Sequence, residues 1–213
     1  MARPLFIVLE GIDGSGSTTQ SRLLYERIGG EAKALLTREP GGTPIAEKIR
    51  ALVLDPQHKS IHARAELFLY AAGRAQHVYE RIIPALEAGK AVVCDRFTAS
   101  TLAYQGYGRE QDLGFIRQVA ALAEDGLQPD LTFILDLPVE KAQERREQRA
   151  GLPDRLEAEN LAFHQRVAAG YCQIAADQPQ KYQLIDATAP IADVFQNIER
   201  ILTERWPNFP LTG

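Results

Sequence analysis

The sequence predicts an α/β protein built on a parallel sheet covered by helices on both faces. Three observations predict it. Short apolar runs alternate with longer stretches of helical periodicity, the order of a parallel sheet. The first run, Leu5-Phe6-Ile7-Val8-Leu9, is apolar throughout and reads as a buried strand. Residues suited to chemistry follow each of the first four runs, where open α/β sheets bind ligands.

The strands are expected at 5–10, 34–38, 91–95, 131–137 and 182–186. Helices are expected at 18–28, 44–54, 64–88, 112–125, 155–177 and 190–205. In the first strand Glu10 ends the apolar run. Pro4 and the tail from Trp206 to Gly213 are expected to be frayed or loosely docked. No repeat, low-complexity segment or linker divides the 213 residues, so a single domain over 1–213 is expected. The apolar share of 45% and charged share of 24% are those of a soluble globular chain with a substantial core. The net charge of −4 argues against a broad nucleic-acid surface. Two cysteines, Cys94 and Cys172, are too few for a disulfide framework and read as small buried hydrophobes. The four histidines are scattered, with no metal-ligand spacing. No stretch approaches the ~18 apolar residues of a membrane span, and the first run is too short for a signal segment. A cytoplasmic enzyme is expected.

After the first strand, Gly11 to Thr18 fit the phosphate-loop pattern G-x-x-x-x-G-K-[ST], except that Ser17 stands in the lysine position. Gly11, Gly14 and Gly16 let successive N–H groups curl into one concavity, and the following helix turns its positive end to the same place. The segment Gly11, Ile12, Asp13, Gly14, Ser15, Gly16, Ser17, Thr18 and Thr19 is therefore the expected phosphate site. Thr18 offers a hydroxyl to Mg²⁺. After the second strand come Thr37-Arg38-Glu39-Pro40-Gly41-Gly42-Thr43, a tight turn whose arginine can grip a phosphate bidentately. The third run ends in Asp95, placed like a carboxylate that helps hold Mg²⁺, beside Arg96.

Glu66, Tyr70 and Arg74 recur every four residues and share one helix face. Tyr70 can stack on a base and Arg74 can donate to a base carbonyl; spacing alone equally allows a core tyrosine and an ion pair between Glu66 and its helix neighbours. Ser100-Thr101-Leu102-Ala103-Tyr104-Gln105-Gly106 is a polar, aromatic segment able to read a base edge and a sugar. Arg145, Arg146, Arg149 and Arg155 surround a Gly/Pro break and suggest a lid over about 140–155 that closes positive charge over phosphates. A solvated helix face paired with Glu140, Glu144 and Glu147 is the alternative.

Together these segments resemble the thymidylate kinase family over Phe6 to about Ile201. The most specific pieces are Thr37 to Thr43, Asp95-Arg96, Ala103-Tyr104-Gln105-Gly106 and Asp154-Arg155-Leu156-Glu157. The resemblance implies the P-loop kinase fold with a five-stranded parallel sheet, transfer of the ATP γ-phosphoryl group to dTMP with Mg²⁺, and a homodimer. From the charge and hydropathy above, no nucleic-acid or membrane partner is expected. By similarity Gly11 to Thr19 surround the ATP phosphates, Thr18 and Asp95 serve the metal, and Asp13 reaches the sugar 3′-hydroxyl. Arg38 and Arg96 hold the acceptor phosphate, and Ser100 is a further dTMP-binding residue. Tyr70 takes the place of the family's usual Phe; Arg74, Thr101 and Gln105 complete the base site, and Tyr104 crowds the sugar 2′ position. Arg149 resembles the catalytic lid arginine of some bacterial members, with Ser15 agreeing with that type. The register slides by one residue around 145–151, so Arg145 and Arg146 compete for that place, and Arg145 is also a candidate to stack on adenine.

Ser17 departs from the family pattern. Losing a buried charge-assisted contact costs roughly 1.5–3 kcal/mol, or about 10- to 100-fold in rate if it matters only in the transition state. A lid arginine replaces the lysine and the enzyme works, or the chain binds nucleotides with weak or no transfer. Another nucleoside monophosphate as acceptor is the remaining alternative.

Overall fold

The computed structural model describes residues 4–149 and 151–211. Five parallel strands, β1 (Phe6–Gly11), β2 (Ala34–Arg38), β3 (Ala91–Asp95), β4 (Leu131–Asp136) and β5 (Tyr182–Asp186), lie in the order β2-β3-β1-β4-β5. β1 is central and buried along its length, with Ile7 in register with Val93 on one side and Leu131 on the other. Successive side chains of a strand point to opposite faces. Accordingly Leu5, Ile7 and Leu9 join the larger core with Leu24, Phe133 and Phe163, while Phe6 and Val8 join a second core with Val78, Ile82 and Phe97. Burying each such side chain contributes about 1.5–3 kcal/mol.

Helices cover both faces: α1 (Ser17–Ile28), α2 (Pro44–Leu54), α3 (Ala63–His77), α4 (Ile83–Glu87), α5 (Thr98–Thr101), α6 (Leu113–Glu124), α7 (Val139–Glu147), α8 (Leu161–Asp177) and α9 (Ile191–Arg205). α2 starts where the Thr43 hydroxyl accepts from Ala46 N at 3.1 Å and Pro44 takes the first turn, a position that needs no N–H. α3 runs into α4 through a wider helical turn at Val78–Ile82, so the expected helix 64–88 is one continuous rod. α5 likewise continues as a wide helical stretch, Leu102–Gly108.

Three expectations are corrected and a fourth, for the tail, is made specific. β1 extends through Gly11, so Glu10 lies inside the strand as a fully buried carboxylate. The helix expected at 155–177 begins at Leu161. Asp154 accepts from the N–H groups of Leu156 and Glu157, closing a separate turn, and Asn160 caps α8 through Phe163 N at 2.9 Å. α7 was not among the expected helices; only Val139 and Ala142 of it are buried, too few for an apolar stripe to reveal. The tail is docked as far as Leu211: Trp206, Phe209 and Leu211 rest against the larger core. Thr212 and Gly213 lie outside the described residues. Both cysteines are free, Cys94 buried and Cys172 half-buried.

Candidate active site

A cleft of about 1110 Å³ opens at the carboxyl ends of the strands. It collects Asp13 to Thr19, Arg38, Tyr70, Arg74, Asp95, Arg96, Ser100, Thr101, Tyr104, Gln105, Arg145 and Arg149. Of the expected residues, Gly11 and Ile12 stand behind its wall, and Arg146 and Arg155 do not line it. Gly11 closes β1 with a φ of 148°, and a Cβ there would lie 2.7 Å from Leu135 O. Gly14 has a φ of 94°, and its Cβ would lie 2.6 Å from Ala142 O. The loop is thus pressed against α7, an approach that glycine permits.

At the start of α1 two hydroxyls converge on one carboxylate. Ser17 Oγ donates to Asp95 Oδ1 at 2.6 Å, and Thr18 Oγ1 donates to Asp95 Oδ2 at 2.5 Å. This donor set suits a hard cation, since Mg²⁺ is held by one or two carboxylates plus phosphate oxygens and water. Among the described residues no group of three or more His, Cys, Asp or Glu forms a self-sufficient metal cage.

Arg96 occupies the centre of the cleft. Its φ of 73° lies in the left-handed region, uncommon for a residue with a Cβ. The strained loop is held from beneath by Glu10, whose carboxylate accepts from Phe97 N at 2.7 Å, Ser100 N at 3.1 Å, Ser100 Oγ and Tyr171 Oη. Burial pushes the Glu10 carboxyl up, against the lowering effect of those hydrogen bonds and of Arg96. Arg96 Nη2 donates to Asp13 Oδ1 at 2.8 Å, and Tyr104 Oη donates to Asp13 Oδ2 at 2.7 Å. Burial alone would raise the Asp13 carboxyl; Arg96, Tyr104 and Arg146 outweigh it and hold it below the usual range.

At the end formed by α3, Arg74 is buried between Glu39, which takes its Nε at 2.8 Å, and Thr101, which takes its Nη2 at 3.0 Å. Its Nη1 is buried without a partner. Behind it His77 touches Glu39 Oε1 at 3.0 Å and Thr37 Oγ1 at 2.6 Å. The Tyr70 hydroxyl is buried without a partner, and burial pushes its pKa up. Glu66 does not pair with its helix neighbours. It bonds Gln105 at 2.8 Å and forms ion pairs with Arg109 and Arg155 from other segments.

The structure separates the basic residues. Arg145 reaches over the phosphate loop to Gly14 O, Ser15 O and Ala187 O. Arg146 donates to Asp13 O at 2.8 Å and does not line the cleft. Arg149 lies at the mouth, largely exposed, and pairs with Glu157. Arg155 is no lid cation: it is 7% exposed, donates through Nε to Val53 O at 2.7 Å and pairs with Glu66. Arg38 is half exposed and pairs with Glu47 at 2.9 Å.

Sequence reasoning missed several residues of the wall. Arg50 bonds Pro40 O at 2.9 Å and lines the cleft. Glu39 lines it too, under Arg74. So do Ala187, Thr188, Ala189, Pro190 and Ile191, which follow β5. Applying the strand-end rule to the fifth strand would have found them.

A sequence model of the family described as thymidylate kinase matches residues 9–198. A thymidylate kinase of Geobacter sp. (strain M21) is 46% identical over 98% of this chain and 95% of its own length. That of Halothermothrix orenii is 49% identical over 92% and 95%. The crystal structure of thymidylate kinase from Ehrlichia chaffeensis superposes with a TM-score of 0.76 at 35% identity, covering 94% of this chain and 99% of that one. With its cleft, its five-stranded parallel sheet and relatives over nearly its whole length, the chain belongs to the thymidylate kinase family.

Proposed function

We propose that the chain transfers the γ-phosphoryl group of ATP to the phosphate of dTMP, giving dTDP and ADP. The observation that carries this is one cleft shared by both ends of the site. A phosphate loop forms one end, a buried arginine with an unpartnered N–H forms the other, and Arg96 stands between them. The acceptor phosphate is already anionic, so positioning and charge neutralisation do the chemistry and no strong general base is needed. Arg96 holds the acceptor phosphate with Arg38 assisting, and Asp13 accepts from the sugar 3′-hydroxyl. Tyr104 keeps Asp13 oriented and crowds the 2′ position. The Tyr70 ring stacks on thymine, with Arg74, Thr101 and Gln105 along the base edge.

Asp95 and Thr18 are the groups that hold Mg²⁺, which, when bound, supplies positive charge to the transferring oxygens. Arg149 takes the task of the missing lysine. Arg145 and Arg146 are committed to carbonyl oxygens of the phosphate loop, whereas Arg149 has an exposed head at the cleft mouth. The proposal treats 1–213 as one domain with 140–155 as its lid. It includes a homodimer through α2, α3 and α6, supported by exposed Ile45, Leu52, Phe68 and Leu122 on those helices. It also includes a cytoplasmic location and no nucleic-acid or membrane partner; no helix among the described residues is long and apolar enough to cross a membrane.

Coupled ADP-release assays with dTMP, dUMP, dGMP and dCMP test this. Turnover fastest with dTMP is expected. Binding of ATP and dTMP without turnover would leave the nucleotide-binding homologue as the function, and preference for another acceptor would displace thymine.

A further inference from the structure

We propose that Glu66 is a positioning residue that sets which end of the Gln105 side-chain amide faces the cleft. It thereby restricts the acceptor base to one with an imide edge, a carbonyl beside a ring N–H. This rests on the phosphoryl-transfer function proposed above and deepens it.

Glu66 is fully buried in α3 and does not line the cleft. Its Oε1 accepts from Gln105 Nε2 at 2.8 Å and from Arg109 Nε at 3.4 Å. Its Oε2 accepts from Arg109 Nη2 at 3.3 Å and pairs with Arg155 Nη2 at 2.5 Å. Every group facing this carboxylate is a donor, so the carboxylate stays an acceptor. The two ends of a glutamine amide are nearly equal in shape, so packing alone does not choose between them. A carboxylate does choose, because a flipped amide would set its carbonyl oxygen against Glu66. Gln105 is 2% exposed, and among the described residues no protein donor reaches its Oε1. The side chain lines the cleft, so the end offered there is an acceptor.

Arg74 supplies the complementary half. It lies two turns after Glu66 on the same face of α3. It bonds Thr101, which is four residues before Gln105 on the facing helical stretch. With Nε and Nη2 committed to Glu39 and Thr101, its buried Nη1 is the free donor. Arg74 and Gln105 both line the cleft, so the pair can offer one donor and one acceptor to a base. Thymine and uracil meet them with a carbonyl and an N–H. Cytosine and adenine present an amino group and a ring lone pair, which sets donor against donor and acceptor against acceptor. Buried polar groups left unpaired in this way discriminate strongly. Guanine carries the same edge, so its exclusion falls to pocket size.

The test compares kcat/KM for dTMP and dCMP in the wild type, in Glu66→Gln, and in the double exchange Glu66→Gln with Gln105→Glu. In Glu66→Gln the amide at 105 is free to turn. The dTMP:dCMP ratio is expected to fall about ten-fold or more, chiefly through a higher KM for dTMP with kcat falling less. In the double exchange a donor stands at 66 and an acceptor-only carboxylate at 105, so the ratio is expected to recover. An unchanged ratio in a folded Glu66→Gln, or no recovery in the double exchange, would overturn the assignment. If Glu66→Gln does not fold, ¹⁵N spectra of the wild type decide: the Gln105 NH₂ signals should keep their positions and slow exchange when dTMP binds. Their moving as a donor to the ligand would refute it. That measurement needs binding and not turnover, so it stands apart from failure of the kinase function.

Discussion

The two ends of the cleft are built differently. At the acceptor end most charged side chains are buried or half-buried and already paired: Arg74 with Glu39, Glu66 with Gln105, Arg109 and Arg155, and Arg96 with Asp13, with Arg38 more exposed beside Glu47. At the donor end Ser17 and Thr18 share Asp95, and Arg149 is largely exposed beside Glu157. A paired, desolvated charge is strongly held in place, because removing either partner strands the other. An exposed ion pair contributes about 0–1 kcal/mol and is free to change partners. The acceptor end is therefore organised in advance, and the donor end keeps cations available for phosphates. Substitutions at the first should damage both binding and folding; substitutions at the second should damage turnover alone.

The largest effect is expected where the ends meet. Arg96→Met removes the central guanidinium and leaves Asp13 without its cation. kcat/KM for dTMP should fall about 10²- to 10³-fold, as when one preorganised donor is lost at a reacting centre. A loss below ten-fold would move the acceptor phosphate elsewhere. Next, Arg155→Met and Arg149→Ala should separate stability from turnover. Arg155→Met removes one of the two arginines paired with the buried Glu66 carboxylate, leaving Arg109, and should cost about 1.5–3 kcal/mol in urea unfolding. Arg149→Ala should leave unfolding within about 0.5 kcal/mol of wild type while lowering kcat about 10- to 100-fold. Equal effects on both measurements for the two variants would erase the distinction between the ends. The smallest effect is expected for Ser17→Lys: a gain in kcat of less than about ten-fold, because Arg149 already supplies the charge. A gain of several orders of magnitude would show that nothing replaces the lysine.

The strands, the phosphate loop and many wall residues are legible in the sequence, whereas Glu39, Arg50 and the segment after β5 are not read from it. Strand-end placement is a rule of the fold class, and continuous apolar runs mark buried strands. Glu10 is not legible as a support for Arg96, because an acid after an apolar run looks like the end of a strand. α7 is hidden because a nearly all-polar helix has no stripe to read. Arg155 is misread because an arginine beside a Gly/Pro break has the same local signature whether it swings over phosphates or pairs with a carboxylate on another helix. Its partner Glu66 is 89 positions away, and no local spacing reports a contact of that kind.

The sequence by itself determined the fold class, the phosphate loop with Ser17 in the lysine position, and the family of the chain, because these depend on local pattern and fixed spacing. Only the tertiary structure decided which arginines are bound and which are free, which end of Gln105 faces the cleft, and that Glu10 lies under the Arg96 loop. Those facts depend on desolvation and on hydrogen-bond partners supplied by distant segments, and each of these exists only once the chain has closed on itself.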